Sequence, residues 1–327
     1  MAEARQQNMI EALNAALDLQ LGREPGAVIL GEDVGHFGGV FRVTRGLQQK
    51  YGSERVFDTP LAEAGIVGMA LGMALGGLRP VVEIQFADFI YPAFDQIVSE
   101  LAKYRYRSGA QYAPQLVIRT PYGGGIRGGL YHSQSPEAYF AHTPGLRVVI
   151  PSDPYQAKGL LLAACACDDP VIFLEPKRLY RASKAEVPDE YYTLPLDRAN
   201  VVRSGVDATL VAYGAMLAVA REAAMLAEGE GYDVEVIDLV SVAPYDLDCV
   251  VRSVEKTGRM LIVHEAPGSC GFGGELMAAV QERAFERLEA PLARVTGHDT
   301  PFPYTLEAHY LPSAERVAFE LRRLVEY

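Results

Sequence analysis

Glu63 is the residue in this chain whose setting most invites chemistry. It stands in Asp58-Thr59-Pro60-Leu61-Ala62-Glu63-Ala64-Gly65, and Gly68, Gly72 and Gly76 follow at a spacing of four. That spacing puts the glycines on one helical face. Each costs roughly 1 kcal/mol of helix propensity against alanine, so the face implies close approach by another backbone. Pro60 can begin a helix, and Glu63 then falls in its first turn, where the dipole favours a carboxylate. A lone acid there is ordinarily a dipole partner; beside a tightly packed interface it becomes a group that can share a proton with a ligand. Glu32 and Asp33 form a second acidic point, between Gly31 and Gly35 at the end of the apolar run Ala27–Leu30. Carboxyl ends of strands are where open α/β sheets keep their sites. His132 follows the loop Gly123–Gly129 and is flanked by Ser133, Gln134 and Ser135. Histidines are more often structural, but this setting suits a proton carrier near neutral pH. Phe89, in Ala87-Asp88-Phe89-Ile90-Tyr91-Pro92, offers either core packing or a flat wall for a stacked ring. His264-Glu265 closes another strand and reads more simply as a satisfied strand end.

These groups need a scaffold, and hydrophobic periodicity supplies one. Residues 4–21 read as an amphipathic helix. Strands at Ala27–Leu30, Pro80–Phe86, Leu116–Arg119, Arg147–Pro151 and Val171–Pro176 alternate with helical stretches, including one from about Ala93 to Arg107, one ending near Tyr51 and one from Pro154 to about Cys167. That alternation implies a mostly parallel sheet with helices on both faces, an α/β fold. Periodicity lapses from Lys177 to Val202 and then resumes through four further strands to a closing helix at about Ser313–Val325, docked by Leu321, Leu324 and Val325. The expected organisation is a first domain over 1–180, a linker over 181–202 and a smaller α/β domain over 203–327.

Gly123-x-Gly125-x-x-Gly128 matches the dinucleotide fingerprint only in form. Pro121 interrupts its entry, no apolar helix opens after it, and no acid follows at the required distance, so a nicotinamide oxidoreductase is disfavoured.

The chain has 327 residues, a net charge of −12 and four cysteines without metal-finger spacing. The acidic balance argues against nucleic acid and toward a basic partner surface. The cysteines suit reduced thiols in a cytoplasmic protein. No run is apolar and long enough to span a bilayer, and the first residues hold no signal core.

Taken in series, Gly31-Glu32-Asp33-Val34-Gly35, Asp58–Glu63, Glu83–Phe89, His132-Ser133-Gln134-Ser135, Pro170–Lys177 and Asp299-Thr300-Pro301-Phe302-Pro303 resemble the beta subunits of thiamine-diphosphate-dependent 2-oxo acid dehydrogenases. The resemblance runs through essentially the whole chain and is strongest to branched-chain (2-oxoisovalerate) members, at His132–Ala138 and Phe86–Gln96. It implies a transketolase-like fold: a pyrimidine-binding domain, then a transketolase C-terminal domain, in an α2β2 heterotetramer. In such enzymes Glu63 would bond the pyrimidine ring nitrogen and favour the tautomer that takes the thiazolium proton. Phe89 would stack on the pyrimidine, Glu32 would line the same pocket, and His132 would assist proton handling and acyl transfer to a lipoyl group. The Gly-Asp-Gly…Asn pattern for magnesium and diphosphate is missing, so an alpha subunit would supply that half and this chain alone would be inactive. The resemblance further implies a structural potassium on backbone carbonyls at Leu116, Ala164, Cys165, Cys167 and Asp169, although Cys167 replaces the usual acid. It also implies that the C-terminal domain docks the basic subunit-binding domain of the acyltransferase core, with the carboxylate of Tyr327 as a contact. Pyruvate or acetoin dehydrogenase beta subunits are the near alternative, and a non-catalytic assembly subunit is the distant one.

Overall fold

A computed structural model describes residues 4–327, which form two compact units. The first comprises residues up to Tyr122 together with Tyr139–Leu196, and the second comprises Gly123–Ala138 and Asp197–Tyr327. The segment that carries His132 thus belongs to the second unit.

In the first unit, β1 (Ala27–Gly31), β2 (Val56–Asp58), β3 (Arg79–Glu83), β4 (Val117–Tyr122), β5 (Arg147–Val149) and β6 (Val171–Pro176) lie in the order β5-β6-β4-β3-β1-β2. All neighbouring pairs are parallel. Every residue of β1, β4 and β6 is buried, as expected for parallel strands covered on both faces. Helix α1 (Met9–Arg23) starts at Asn8, whose side chain accepts from the Glu11 N–H at 3.0 Å while Glu11 accepts from the Asn8 N–H at 2.8 Å. This reciprocal capping box corrects the expected helix over 4–21: Ala4–Gln7 is instead a strand, antiparallel to Ala185–Pro188.

Helix α2 (Glu63–Leu75) begins at Glu63 itself, three residues after Pro60. Its glycine face is not filled by backbone among the described residues. A Cβ at Gly68 would meet only the Gln96 side chain, at 3.5 Å, and Gly72 faces open space. Two further helical expectations are corrected. The stretch from Ala93 to Arg107 breaks into a π turn at Gln96–Glu100, a 3₁₀ turn at Leu101–Lys103 and one α turn at Tyr104–Arg107. Before Tyr51 only Leu47–Tyr51 is helical, because Gly38, Gly39 and Gly46 hold φ near +80°. Helix α3 (Pro154–Ala166) follows the expected signals, with Asp153 capping the Gln156 N–H at 2.7 Å and Pro154 in the first turn.

In the second unit, β7 (Asn200–Arg203), β8 (Ala208–Ala212), β9 (Val234–Asp238), β10 (Met260–Pro267) and β11 (Ala293–Gly297) take the order β11-β10-β8-β9-β7. Only β7 is antiparallel to its neighbour. Helices α4 (Met216–Gly229), α5 (Leu247–Thr257), α6 (Phe272–Ala284) and α7 (Ala314–Val325) complete the unit. Ser313 caps α7, and Leu321 and Leu324 are buried while Val325 is half-buried.

Candidate active site

Three of the sequence-predicted groups share one edge of the first unit. Glu32 follows β1, Glu63 lies beyond β2 and Phe89 lies beyond β3, and these three strands are neighbours. Their carboxyl ends form the crevice position typical of parallel sheets. Glu63 is 8% exposed, at the start of α2, so its carboxylate is held against the positive end of the helix. Glu32 is half-buried. Its carboxyl is held above the ordinary range, first by burial, then by the charges of Glu63 and Asp33. Glu32 therefore feels the charge of Glu63. Phe89 is half-buried in a 3₁₀ turn, its ring edge-on to Phe86 at 5.7 Å. Phe86 in turn meets Phe41 at 5.5 Å, and Phe41 meets Tyr180 at 5.0 Å.

Beneath this edge lies a buried ionic network that the sequence reading did not single out. Arg119 on β4 directs Nε and Nη2 to Glu175 on β6, at 2.8 and 2.9 Å, and Nη1 to Glu83 on β3. The Tyr180 hydroxyl donates to Glu175 at 2.5 Å. Burial alone would lower the guanidinium's pKa, but Glu175 and Glu83 outweigh it and raise it. Burial raises the Glu83 carboxyl in spite of Arg119. Glu83 pairs in register with Gly31 and with Arg119, so the network underlies the loop that carries Glu32. A Cβ at Gly39 would come within 2.9 Å of Glu83 Oε1, which leaves room only for glycine there.

In the second unit, His132 is half-buried and ends a single 3₁₀ turn, Gly129–Tyr131. No helix opens after the glycines. The loop is closed on itself by the Gly123 N–H, which donates to the Gln134 carbonyl at 2.9 Å. It is seated on residues far along the chain. Glu265 accepts from the Gly124 N–H at 2.8 Å, and Glu307 accepts from the Gly125 and Arg127 N–H groups at 3.2 and 3.0 Å. Phe302, Tyr310 and Leu311 cluster below, with Phe302 Cζ 2.7 Å from where a Cβ on Gly124 would stand. Asp299 fixes the start of that motif by accepting from Ser269 N–H and Oγ at 2.9 and 2.6 Å. Glu137, at the loop's exit, is fully buried and accepts from the Tyr213 hydroxyl at 2.9 Å. Burial pushes its carboxyl up to about 7, against the Tyr213 bond. His264 is a packed strand-end residue. Its Nε2 accepts from the Gly273 N–H at 3.3 Å, its ring stacks on Tyr213, and burial pushes its pKa down to about 4.

The stretches expected to hold a cation are tied by backbone bonds. The Leu116 carbonyl accepts from the Val171 N–H at 3.0 Å, and the Ala164 carbonyl from the Cys167 N–H at 3.2 Å. The Asp169 carboxylate is engaged by Arg105 at 2.5 Å and Arg147 at 3.2 Å, and its N–H faces Cys167 Sγ at 3.4 Å. Cys165 is buried, which pushes its thiol up to about 12. Among the described residues no group of three or more His, Cys, Asp or Glu side chains is arranged to hold a metal ion, and no helix is long and apolar enough to cross a membrane.

A pyrimidine cofactor asks for a carboxylate shielded from water and a flat apolar wall. Glu63 and Phe89 meet both requirements at one edge of one sheet.

The chain is similar to known proteins along nearly its whole length. The transketolase pyrimidine binding domain matches residues 5–183 and the transketolase C-terminal domain matches 197–317. A 2-oxoisovalerate dehydrogenase subunit beta from Pseudomonas aeruginosa is 53% identical over 334 aligned positions, covering 97% of this chain and 95% of the relative. A pyruvate dehydrogenase E1 component subunit beta from Leifsonia xyli is 52% identical, covering 98% and 95%. Among solved structures, a split gene transketolase described as an inactive beta4 tetramer aligns with a TM-score of 0.78 and 25% identity, over 98% of each chain.

Proposed function

The chain belongs to the family of transketolase-like 2-oxo acid dehydrogenase beta subunits, and on that premise we propose that it is the beta half of an α2β2 decarboxylating component acting on branched-chain 2-oxo acids. Its product would be an acyl group passed to the lipoyl arm of an acyltransferase core, which makes the activity that of a lipoamide-acylating 3-methyl-2-oxobutanoate dehydrogenase. The observation that carries this reading is the placement of Glu63, Glu32 and Phe89 at the carboxyl ends of three adjacent strands, in a chain so similar along its whole length to 2-oxoisovalerate dehydrogenase beta subunits.

Thiamine diphosphate, when bound, supplies a nucleophilic ring carbon and an electron sink for decarboxylation. Glu63 and Phe89 would hold its pyrimidine half, and magnesium and the diphosphate would be held mainly by the alpha subunit. Glu63 holds or gives up a proton at its carboxylate, shielded from bulk water and next to a helix start. Glu32 adds a second carboxylate that can keep a proton at higher pH than an exposed acid. Phe89 presents an apolar ring braced by Phe86. His132 is assigned proton handling and acyl transfer.

A structural potassium on the carbonyls of Leu116, Ala164, Cys165, Cys167 and Asp169 belongs to the same proposal, since a carbonyl already in one bond keeps a second lone pair. Potassium-dependent thermal stability would test it. The C-terminal domain, with the exposed Tyr327 at its end, is the proposed seat for the basic subunit-binding domain of the acyltransferase, drawn by opposite charge.

The pyruvate reading rests on nearly equal identity to the Leifsonia relative. Co-expression with the alpha partner and turnover of 3-methyl-2-oxobutanoate against pyruvate separates the two. The expected result is thiamine-diphosphate-dependent turnover that favours the branched substrate and collapses in Glu63→Gln. Full turnover in that variant would leave this chain a role in assembly only.

A further inference from the structure

The glycine loop 123–129 is gripped by a carboxylate that lies about 180 residues further along the chain. Glu307 accepts from two loop N–H groups at once, those of Gly125 and Arg127, one through each of its oxygens. Backbone N–H groups of an exposed loop have water as an alternative partner, so a carboxylate that takes two of them fixes the loop's path. The grip is reinforced from the same motif. Tyr310 and Leu311, which follow Glu307, join Phe302 in the apolar seat under Gly124, and Glu265 takes the Gly124 N–H. The free end of the loop runs directly into His132, and the Gly123–Gln134 bond closes the circuit around it.

We propose that Glu307 is a positioning residue for His132, the latch that holds the glycine loop in one conformation. This rests on the proton-handling role assigned to His132 above. A latch of this kind acts on the geometry of the histidine, not on substrate affinity. Its loss should lower kcat and leave KM nearly unchanged, because a displacement of about 1 Å at a reacting group costs up to roughly 100-fold in rate.

The experiment has two readouts on the chain assembled with its alpha partner. Hydrogen exchange at the Gly125 and Arg127 amides is measured in wild type, Glu307→Ala and Glu307→Gln. Turnover of 3-methyl-2-oxobutanoate and of pyruvate is measured in the same proteins and in His132→Ala. Loss of the carboxylate should speed exchange at those two amides by about 10-fold, the equivalent of one net hydrogen bond. Glu307→Ala should lower kcat by about 10-fold or more with KM within about 3-fold, and Glu307→Gln, which keeps one acceptor oxygen, should recover part of the loss. Unchanged exchange in Glu307→Ala would overturn the latch outright. Faster exchange with intact kcat, in a protein that His132→Ala inactivates, would overturn the positioning role. Intact turnover in His132→Ala would instead remove the catalytic reading of the histidine, and the positioning role with it, while the exchange data still judge the latch.

Discussion

The Tyr213 hydroxyl donates to Glu137 Oε1 across 2.9 Å, and both side chains are sealed from water. Glu137 Oε2 meets no hydrogen-bond partner among the described residues. The carboxyl therefore keeps its proton up to about 7, chiefly through burial, with the charge of Glu265 adding to it. In the unfolded chain the same group titrates near 4.5. Folding thus binds a proton in the window between those values. The sign follows: stability is greatest below that window, falls as pH rises through it, and is flat above it. The loss is on the order of 3 kcal/mol. Glu137→Gln carries no charge at any pH and should remove this dependence. Urea unfolding of wild type and variant at pH 5 and pH 7.5 checks it. Equal pH dependence in the two proteins would show that Glu137 titrates normally.

Glu32 is raised by three causes, of which Glu63 is the second after burial. Glu63→Gln removes one charge and leaves the other two causes in place. The Glu32 carboxyl should then titrate at lower pH than in wild type, still above an exposed acid. Carboxyl carbon NMR on the labelled chain reads this directly, with no need for substrate or partner. An unmoved Glu32 would mean that the two carboxylates are too well screened to share a proton economy.

Arg119 is 1% exposed and joins two buried carboxylates on the strands either side of it. Arg119→Met leaves Glu83 and Glu175 buried without their cation. The expected loss of stability is about 3–5 kcal/mol, the usual result of stranding buried charge. Arg119→Lys should not restore it, since an ammonium cannot make the paired Nε and Nη2 contacts with Glu175. Thermal unfolding of the three proteins decides, and the lysine variant is the informative one. Wild-type stability there would reduce the network to a matter of net charge.

How far the site was legible in the sequence depended on how local each signal was. Glu32 follows an apolar run directly at Gly31, Glu63 stands between Pro60 and Gly65, and Phe89 lies in an aromatic cluster just past a strand, and the parallel order of the strands then brings them to one edge. Asn8 and Glu11 carried a capping signal three residues apart that marks the true start of α1, but the apolar periodicity ran past it. The strand at Ala4–Gln7 depends on Ala185–Pro188, and no local pattern announces a partner that distant. Glu265 read only as part of a strand end, and Glu307 was not singled out, for the same reason. Each is a single acid whose partners lie 141 and about 180 residues away, and a hydrogen bond to backbone leaves no trace in the partner's side-chain type. Arg119 and Glu175 sat in view inside strands, where periodicity reports burial but not pairing.

Gly124 tests whether the apolar seat matters as much as the carboxylates. Its φ is not in the left-handed region, unlike Gly123 at +79°, so alanine suits its backbone. The obstacle is steric. The new Cβ would stand 2.7 Å from Phe302 Cζ and 3.2 Å from Leu311 Cδ1. Phe302 is 4% exposed and packs its ring on Tyr310 at 4.5 Å, so it has little freedom to withdraw. Gly124→Ala should therefore cost about 1–3 kcal/mol, the range for overpacking a filled site. Phe302→Leu should cost stability alone but relieve the clash, so the double variant should be more stable than the sum of the singles predicts, by about 1 kcal/mol. Denaturant unfolding of the four proteins completes the cycle. Strict additivity would mean that the loop does not rest on Phe302, and the grip on His132 would then fall to Glu265 and Glu307 alone.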